Sequence, residues 1–538
     1  MDVTSVSTSG GRPRRRSGTK KARKTVRTRV VVIGTGFSGI GMGIELRKRG
    51  IEDFVILEKE KSVGGTWRDN TYPGAACDVP THLYSFSFEP RTDWSNLYSY
   101  QPEILSYLED VTRKYQLAPH IRFETTFTGA RWDDAAGSWH VSTLDGTEYV
   151  AQFLVSGIGA LHVPKIPDLP GIETFTGTAF HSARWDHDCD LTGKRVAVIG
   201  TGASAIQFIP RIVDAASNLD VYQRTPAWVL PRSNVEFSER AHRAFASVPG
   251  LRRVLRNGLY WSAEIGGFAM TRRPDLLRFV ERMAIRHIER EIADPELRRK
   301  LTPSYRAGCK RLLGSDTYYA ALAQPKSEVV TDGIREVTPT GIVTADGTER
   351  AADVIIYGTG FHVLDVFTKL EFIGRNGVDI AARWRDEGIQ AYRGIAVADA
   401  PNAFFLLGPN TGLGHTSIVF MIESQINYVA RAIALAEDEG ARAIVPRREV
   451  QDEFNRKLQE KLGHSVWNTG GCASWYLDEH GQNRTLWSGF TWEYWLQTRR
   501  VDAHDFEFLT VDRPTVRRAA DLVTAENSHR NPELAGRH

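Results

Sequence analysis

Residues 30–33 read VVVI, four apolar positions in a row, the mark of a short strand buried on both faces. The run breaks at Gly34, and apolar residues return at helical spacing at Ile40, Ile44 and Leu46. A second apolar run, FVIL, follows at 54–57. The same succession recurs later: VAVI at 196–199, a glycine turn, a helical segment, then LDVYQ at 219–223. Two further runs, QFLVSGIG at 152–159 and DVIIYGTG at 353–360, share a strand followed by Gly-x-Gly and are expected to close the two sheets. Strands alternating with helices predict an α/β fold built from two dinucleotide-binding, Rossmann-like domains.

The alternation lapses between 235 and 303. There LLRFVERMAIRHIEREIADPELRRKL has helical period and puts Leu276, Phe279, Val280, Met283, Ile288 and Ile292 on one expected core face, with arginines on a solvated one. This reads as a helical insertion in the second dinucleotide domain. From about Asn402, AFFLLGPNTGLGHTS and a helical stretch resume the α/β pattern, so the first domain is expected to be discontinuous. The expected division is a disordered basic leader at 1–28, a first part of the first dinucleotide domain at 29–165 and a first part of the second at 166–234. The insertion (235–303), a second part of the second dinucleotide domain (304–390) and a second part of the first with the C-terminal tail (391–538) follow. Residues 175–186 (FTGTAFHSARWD) alternate too little for a strand and read as the hinge between the two units.

Gly34, Gly36 and Gly39 form G-x-G-x-x-G between a strand and a helix, the context that gives the motif meaning. The first glycine permits the turn, the second admits a pyrophosphate, and the third lets helix and strand approach. Phe37 lies within the same turn. Glu58 ends the next strand, 24 residues after Gly34, where a carboxylate accepts ribose hydroxyls. The second turn is the G-x-G-x-x-A form, Gly200, Gly202 and Ala205, and the residue 24 places on is Arg224. A carboxylate repels a 2′-phosphate, whereas a guanidinium binds it bidentately. The first turn is therefore expected to hold FAD and the second NADPH, with Thr225 adding a hydroxyl donor.

Charges nearly balance over the 538 residues, with a net of +3, which gives no footprint for nucleic acid. The basic leader GRPRRRSGTKKARKTVRTR lacks the apolar core of a secretory signal and reads as a solvated segment. No run of 18 apolar residues marks an integral membrane segment. The four cysteines, Cys77, Cys189, Cys309 and Cys472, have no metal-like spacing. They fit a reducing, cytoplasmic setting and argue against a disulfide scaffold or a structural metal.

Two longer patterns add a resemblance. GGTWRDNTYPGAACD holds Gly64, Gly65, Trp67, Tyr72, Pro73, Gly74 and Asp78 at fixed spacing, and FTGTAFHSARWD holds Phe175, Gly177, His181, Trp185 and Asp186. Together they resemble the fingerprints of Baeyer–Villiger monooxygenases, over most of the chain from Val30 to about Trp495. Trp185-Asp186 separates this pattern from related sulfur- and nitrogen-oxidising flavin enzymes. The resemblance implies an NADPH- and O2-dependent enzyme that inserts oxygen beside a ketone carbonyl through a peroxyflavin. It implies Arg311 as the catalytic arginine and Asp78 as its partner. Lys310 would help Arg224 and Thr225 hold the NADP phosphate. Thr66, Trp67 and Tyr84 would line the flavin, and Ala76 and Cys77 would run near the nicotinamide. Thr201, Gly202, Ala203, Ser204, Ala205, Ile206 and Gln207 would wrap the NADP pyrophosphate. Gly408-Pro409-Asn410 departs from the pattern of many two-dinucleotide flavoproteins, which carry an acid there for the ribityl chain.

The chemistry asks for these residue types. An arginine cannot surrender its proton to an anionic oxidant, and a carboxylate fixes its orientation. His181 is expected to anchor the hinge, and Trp185 to pack at the domain interface. Trp475, Trp487, Trp492 and Trp495 form either a lid over the substrate or an ordinary packed segment. Alternatives are a sulfur- or nitrogen-oxidising flavin monooxygenase, a disulfide reductase, which needs a cysteine pair beside the flavin, and a non-catalytic redox sensor.

Overall fold

The VVVI run lies inside an eight-stranded sheet. It belongs to the strand Thr25–Ile33, which pairs in parallel with Phe54–Leu57 on one side and Glu148–Ser156 on the other. Flanked on both edges and covered on both faces, Val30, Val31 and Val32 are fully buried. The Glu148–Ser156 strand is shared. Its first half pairs antiparallel with Ser138–Thr143, while Ala403–Phe405 joins its last three residues in parallel. The structure is a computed structural model that describes residues 24–363 and 365–510. Most of the basic leader, up to residue 23, lies outside the described residues.

The second sheet has five strands, all parallel, in the order Ser327–Val330, Asn218–Tyr222, Arg195–Ile199, Val354–Tyr357 and Thr178–His181. The last of these comes from the segment expected to be a hinge without a strand. A four-residue edge strand needs only backbone pairing with Val354–Tyr357, so it leaves little alternation to read. Residues 371–373 also join the first sheet, beside Phe127–Asp133, so the chain returns there ahead of the boundary expected at 391.

The two Gly-x-Gly closures find a shared reason. Gly34 has φ +89°, and a Cβ there would stand 2.7 Å from the Gly157 carbonyl oxygen. Gly200 has φ +108°, and its Cβ would stand 2.5 Å from the Gly358 oxygen. Each nucleotide turn is thus pressed against the end of its own closing strand.

The insertion is helical, with helices at Glu239–Ser247, Leu251–Thr271, Leu277–Glu291 and Pro295–Leu301. Its buried face keeps Ile288 and Ile292 of the expected one and differs in the rest. Leu277, Ala284, Ile288 and Ile292 are buried, whereas Leu276, Phe279 and Met283 are 48%, 61% and 41% exposed. The helix starts at Leu277, after a short turn at Pro274–Leu276, and the stripe 277, 284, 288 faces the core. Val280 is partly buried against that core.

A second correction concerns the cysteines. Cys309 and Cys472, 163 residues apart, form a disulfide. Sequence spacing carries no sign of a pair made only by tertiary folding. Ile418–Asp438 is, among the described residues, the one helix long and apolar enough to cross a membrane. Val419, Ile422, Ile426, Val429 and Ile433 on it are instead buried in the core of the first sheet.

Candidate active site

The first glycine turn opens onto a cavity of roughly 370 Å³. Its walls include Gly34, Gly36, Phe37, Glu58, Thr66, Trp67, Tyr84, Gly157 and Gly159. The glycines fit a dinucleotide for steric reasons. A Cβ on Gly39 would stand 1.8 Å from the Gly34 oxygen, so only glycine lets the Phe37–Lys48 helix start here. Gly36 instead faces open space, its nearest neighbour being Gly65 Cα at 3.9 Å from a built Cβ. Gly64 and Gly65 have φ +126° and +53° and bring the fingerprint loop against that turn.

Glu58 is buried and accepts from Thr35 N at 3.0 Å, Thr35 Oγ1 at 2.5 Å and Glu60 N at 2.9 Å. Both Thr35 donors reach Oε2, whereas Arg68 Nη1 lies 3.2 Å from Oε1, the oxygen that accepts from Glu60 N. Four donors match the roughly four acceptor positions of a carboxylate. Any further hydroxyl donor to Glu58 has to displace one of these, and the two side-chain donors, Thr35 Oγ1 and Arg68, are the ones that can turn away. Trp67 Nε1 donates to the Tyr84 hydroxyl at 3.2 Å, and Phe37 meets the Tyr84 ring edge-on, with centroids 5.2 Å apart.

Asp78 and Arg311 come together across 233 positions of sequence. Arg311 Nε donates to Asp78 Oδ2 at 2.5 Å and Nη2 to Oδ1 at 2.8 Å, a bidentate fork. Both side chains are about one third exposed, at 35% and 33%. Desolvation of Asp78 opposes its ionised form, but Arg311's charge and hydrogen bonds outweigh it and hold the carboxyl below the ordinary range. Asp78 in turn raises the Arg311 pKa further, so the guanidinium stays charged. Arg311 Nη1 also donates to the Leu413 carbonyl at 3.3 Å. The charges of Asp78 and Arg311 reach the hydroxyl of Tyr84, which ties the pair to the cavity that Tyr84 lines.

Two neighbours of this pair carried no legible signal. Arg232 donates to the Cys77 carbonyl at 2.7 Å and adds a second cation that favours ionised Asp78. Tyr476 is buried where its phenol feels the Arg311 charge. Neither stands in a motif. Burial pushes the Cys77 thiol well up, leaving it a packing residue in the core around the first helix.

On the second turn, Gly202 and Ala203 are exposed and Ser204 is half-buried, which leaves their backbone free to meet a ligand. Ala205 and Ile206 are buried in the core of the second sheet, so their side chains face away from any coenzyme. Arg224 is exposed, and Lys310 stands near enough for the two charges to act on each other. Burial first, then Arg224, lowers the Lys310 pKa. Lys310 also lies over the Tyr305 ring at 5.1 Å. Thr201 Oγ1 donates to the Thr225 carbonyl at 3.4 Å.

Gln207 reaches across to the fingerprint loop. Its Oε1 accepts from the Tyr72 hydroxyl at 3.0 Å and from Ala76 N at 3.2 Å. Its Nε2 donates to the Ala76 carbonyl at 3.1 Å. The helix Ala205–Ile212 is thereby clasped to the loop that carries Asp78. His181 is buried with Nδ1 accepting from Ala183 N at 3.1 Å, and burial pushes its pKa down to about 4. Trp185 packs on Phe208 and Phe180 at 5.3 and 5.1 Å between ring centroids, in a cluster that also takes Tyr72 and Ala75 from the fingerprint loop. In the C-terminal segment Trp487 is buried, while Trp475 and Trp495 are 50% and 46% exposed.

This geometry agrees with the comparisons. Residues 31–242 match the pyridine nucleotide-disulphide oxidoreductase family model. A Baeyer-Villiger monooxygenase of Pseudomonas aeruginosa is 49% identical over 483 residues, 90% of this chain and 92% of that protein. The chain belongs to the Baeyer–Villiger monooxygenases. A second such enzyme, from Streptomyces coelicolor, is 49% identical over 89% of this chain and 92% of its own length. The closed crystal structure of cyclohexanone monooxygenase superposes with a TM-score of 0.82 at 30% identity, covering 90% of this chain and 100% of that one. An oxidised steroid monooxygenase bound to NADP superposes with a TM-score of 0.81 at 31% identity over 90% of this chain and 100% of its own. This Baeyer–Villiger monooxygenase is an FAD-containing, NADPH-dependent enzyme with two Rossmann-type domains. The Cys309–Cys472 pair sits in a cluster with Trp467 and Leu277, and neither cysteine lines the dinucleotide cavity.

Proposed function

We propose that this monooxygenase inserts one atom of O2 beside the carbonyl of a ketone, giving an ester or lactone. The other oxygen atom leaves as water, and NADPH with a proton supplies the two electrons. The observation that carries the reading is the bidentate Asp78–Arg311 pair, whose charges are felt at the hydroxyl of Tyr84 in the cavity wall. Bound FAD supplies oxygen activation, and bound NADPH supplies the hydride. The chain's own contribution is electrostatic. Arg311 offers a cation that keeps its proton, and Asp78 and the Leu413 carbonyl fix its plane. That fixed charge favours the oxidant in its anionic, nucleophilic form and balances negative charge developing on the ketone oxygen. The residues proposed to hold FAD are Gly34, Gly36, Phe37, Gly39, Glu58, Thr66, Trp67 and Tyr84. Those proposed for the NADPH phosphates are Arg224, Thr225, Lys310 and the backbone of the turn at 201–205.

The test is Arg311→Ala assayed with one ketone and one sulfide. Removing a single preorganised oxyanion donor lowers turnover by about 10²–10³. Ester formation should fall by that amount. Sulfide oxidation, which uses a protonated electrophilic oxidant, should persist to within about tenfold. Undiminished ester formation would remove Arg311 from the mechanism.

A further inference from the structure

We propose that the outward face of the helical insertion docks on an anionic phospholipid surface. Along the helix Leu251–Thr271, Val254, Trp261, Ile265 and Phe268 are 69%, 56%, 72% and 39% exposed. Their spacing, i, i+7, i+11 and i+14, places them in one solvent-facing stripe. The opposite side of the same helix is already engaged, with Glu264, Gly267, Met270 and Thr271 buried. The next helix, Leu277–Glu291, repeats the arrangement with Phe279 and Met283 outward. Met270 and Leu277 share one core cluster, so both outward stripes look away from the same core. Monomeric proteins rarely leave apolar residues in such registered rows without an occupant.

The charge beside the stripes selects the occupant. Arg253, Arg278, Arg282 and Arg286 are exposed, and among the described residues none is within ion-pair distance of a carboxylate. Nearby acids are taken. Glu264 is buried against Thr491 and His415, Asp275 pairs with Arg273, and Glu281 pairs with Arg306. On the helix Leu277–Glu291, Glu289 is, among the described residues, the one acid without an ion pair, at the far end of the arginine row. A row of arginines beside a tryptophan-bearing apolar row matches a helix lying in a negatively charged lipid interface. A second copy of the chain fits less well, because a two-fold contact through this face sets arginine against arginine. A bilayer also concentrates apolar ketones, and the inner side of the insertion shares its core with Cys309, two positions from Arg311.

The test is co-sedimentation of the full-length, FAD-loaded enzyme with vesicles. One set holds equal parts of phosphatidylglycerol and phosphatidylcholine, and the other holds phosphatidylcholine alone. Binding is expected on the anionic vesicles, at least about tenfold weaker on the neutral ones, and largely released by about 0.5 M NaCl. Arg278→Gln with Arg282→Gln should weaken it about twentyfold, near fivefold for each charge. Trp261→Ser with Ile265→Ser should abolish it, while both variants keep their flavin and their NADPH oxidation in the absence of lipid. Failure of the unaltered enzyme to sediment with anionic vesicles would overturn the proposal. So would equal binding to both vesicle types, or binding that survives both pairs of substitutions, which would assign it to the basic leader. Lipid-free self-association broken by Trp261→Ser with Ile265→Ser, without vesicle binding, would assign the face to a second copy.

Discussion

Replacing Asp78 by Asn keeps the side chain's shape and removes its charge. In the native pair Arg311 donates twice, at 2.5 and 2.8 Å, to two carboxylate oxygens. An amide can accept only one of these bonds and turns its NH2 toward a guanidinium that has nothing to accept with. One charge-assisted bond is lost and the other becomes neutral-acceptor in kind. Such a bond contributes about 1.5–3 kcal/mol when sheltered. With both side chains about one third exposed, screening leaves about 1–2 kcal/mol. If that alignment is realised mainly in the transition state, kcat for ketone oxidation falls about 5- to 30-fold while KM for the ketone changes less. The assay is steady-state ester formation, with NADPH consumption and hydrogen peroxide release followed in parallel. Loose Arg311 should raise the share of NADPH spent on peroxide. The pH profile gives an independent check. Asp78's pKa is lowered below its ordinary value of 3.8, so its contribution is complete above that value and is lost only as pH falls through the lowered one. The unaltered enzyme should therefore show no acid limb from Asp78 above about pH 4. A kcat unchanged to within about twofold in the Asn variant would refute the reasoning. So would an acid limb in the native profile near pH 5–6 that the substitution removes.

Three further outcomes follow from other parts of the chain. Arg224→Ala should lower kcat/KM for NADPH by about 10- to 100-fold, the worth of a charge-assisted phosphate contact, and leave NADH nearly unaffected; unchanged coenzyme selectivity would show that the 2′-phosphate is held elsewhere. Reducing the Cys309–Cys472 disulfide, which spans 163 residues, or replacing both cysteines by serine, should lower the unfolding free energy by up to about 5 kcal/mol on the chain-entropy account, read as a drop in Tm with bound FAD held constant. Burial pushes the pKa values of His82, His162 and His181 down from 6.5 to about 4, so these rings are neutral in the fold; their stabilising contribution is complete above pH 6.5 and is lost as pH falls toward 4, and the Tm should decline across that window less steeply in His181→Asn.

The features that proved legible are those whose causes are local. Gly34, Gly39 and Gly200 stand where a Cβ would strike a backbone oxygen, and a turn that needs glycine declares itself in three or four letters. Asp78 and Arg311 were reached only through the family fingerprints, because 233 positions separate them and no spacing rule joins them. Arg232 and Tyr476 had no motif to stand in, although they complete the electrostatic surroundings of the same pair. The insertion misled for a different reason. Its apolar residues exceed what one buried stripe can hold, so periodicity placed Ile288 and Ile292 inward as they are found but could not say whether Leu276, Phe279 and Met283 or Leu277 and Ala284 join them. The disulfide was invisible because loop closure over 163 residues leaves no local trace.

The clasp between Gln207 and the Ala76 peptide couples two things that the sequence treats as separate. A side chain that both donates to and accepts from one peptide unit imitates a single rung of β-ladder. Ala76 is two positions before Asp78, so a tilt of the coenzyme helix larger than a hydrogen bond's slack pulls on the carboxylate's own backbone. The angle at which that helix rests and the aim of the arginine thus become a single mechanical coordinate, shared between the second glycine turn and the Asp78–Arg311 pair.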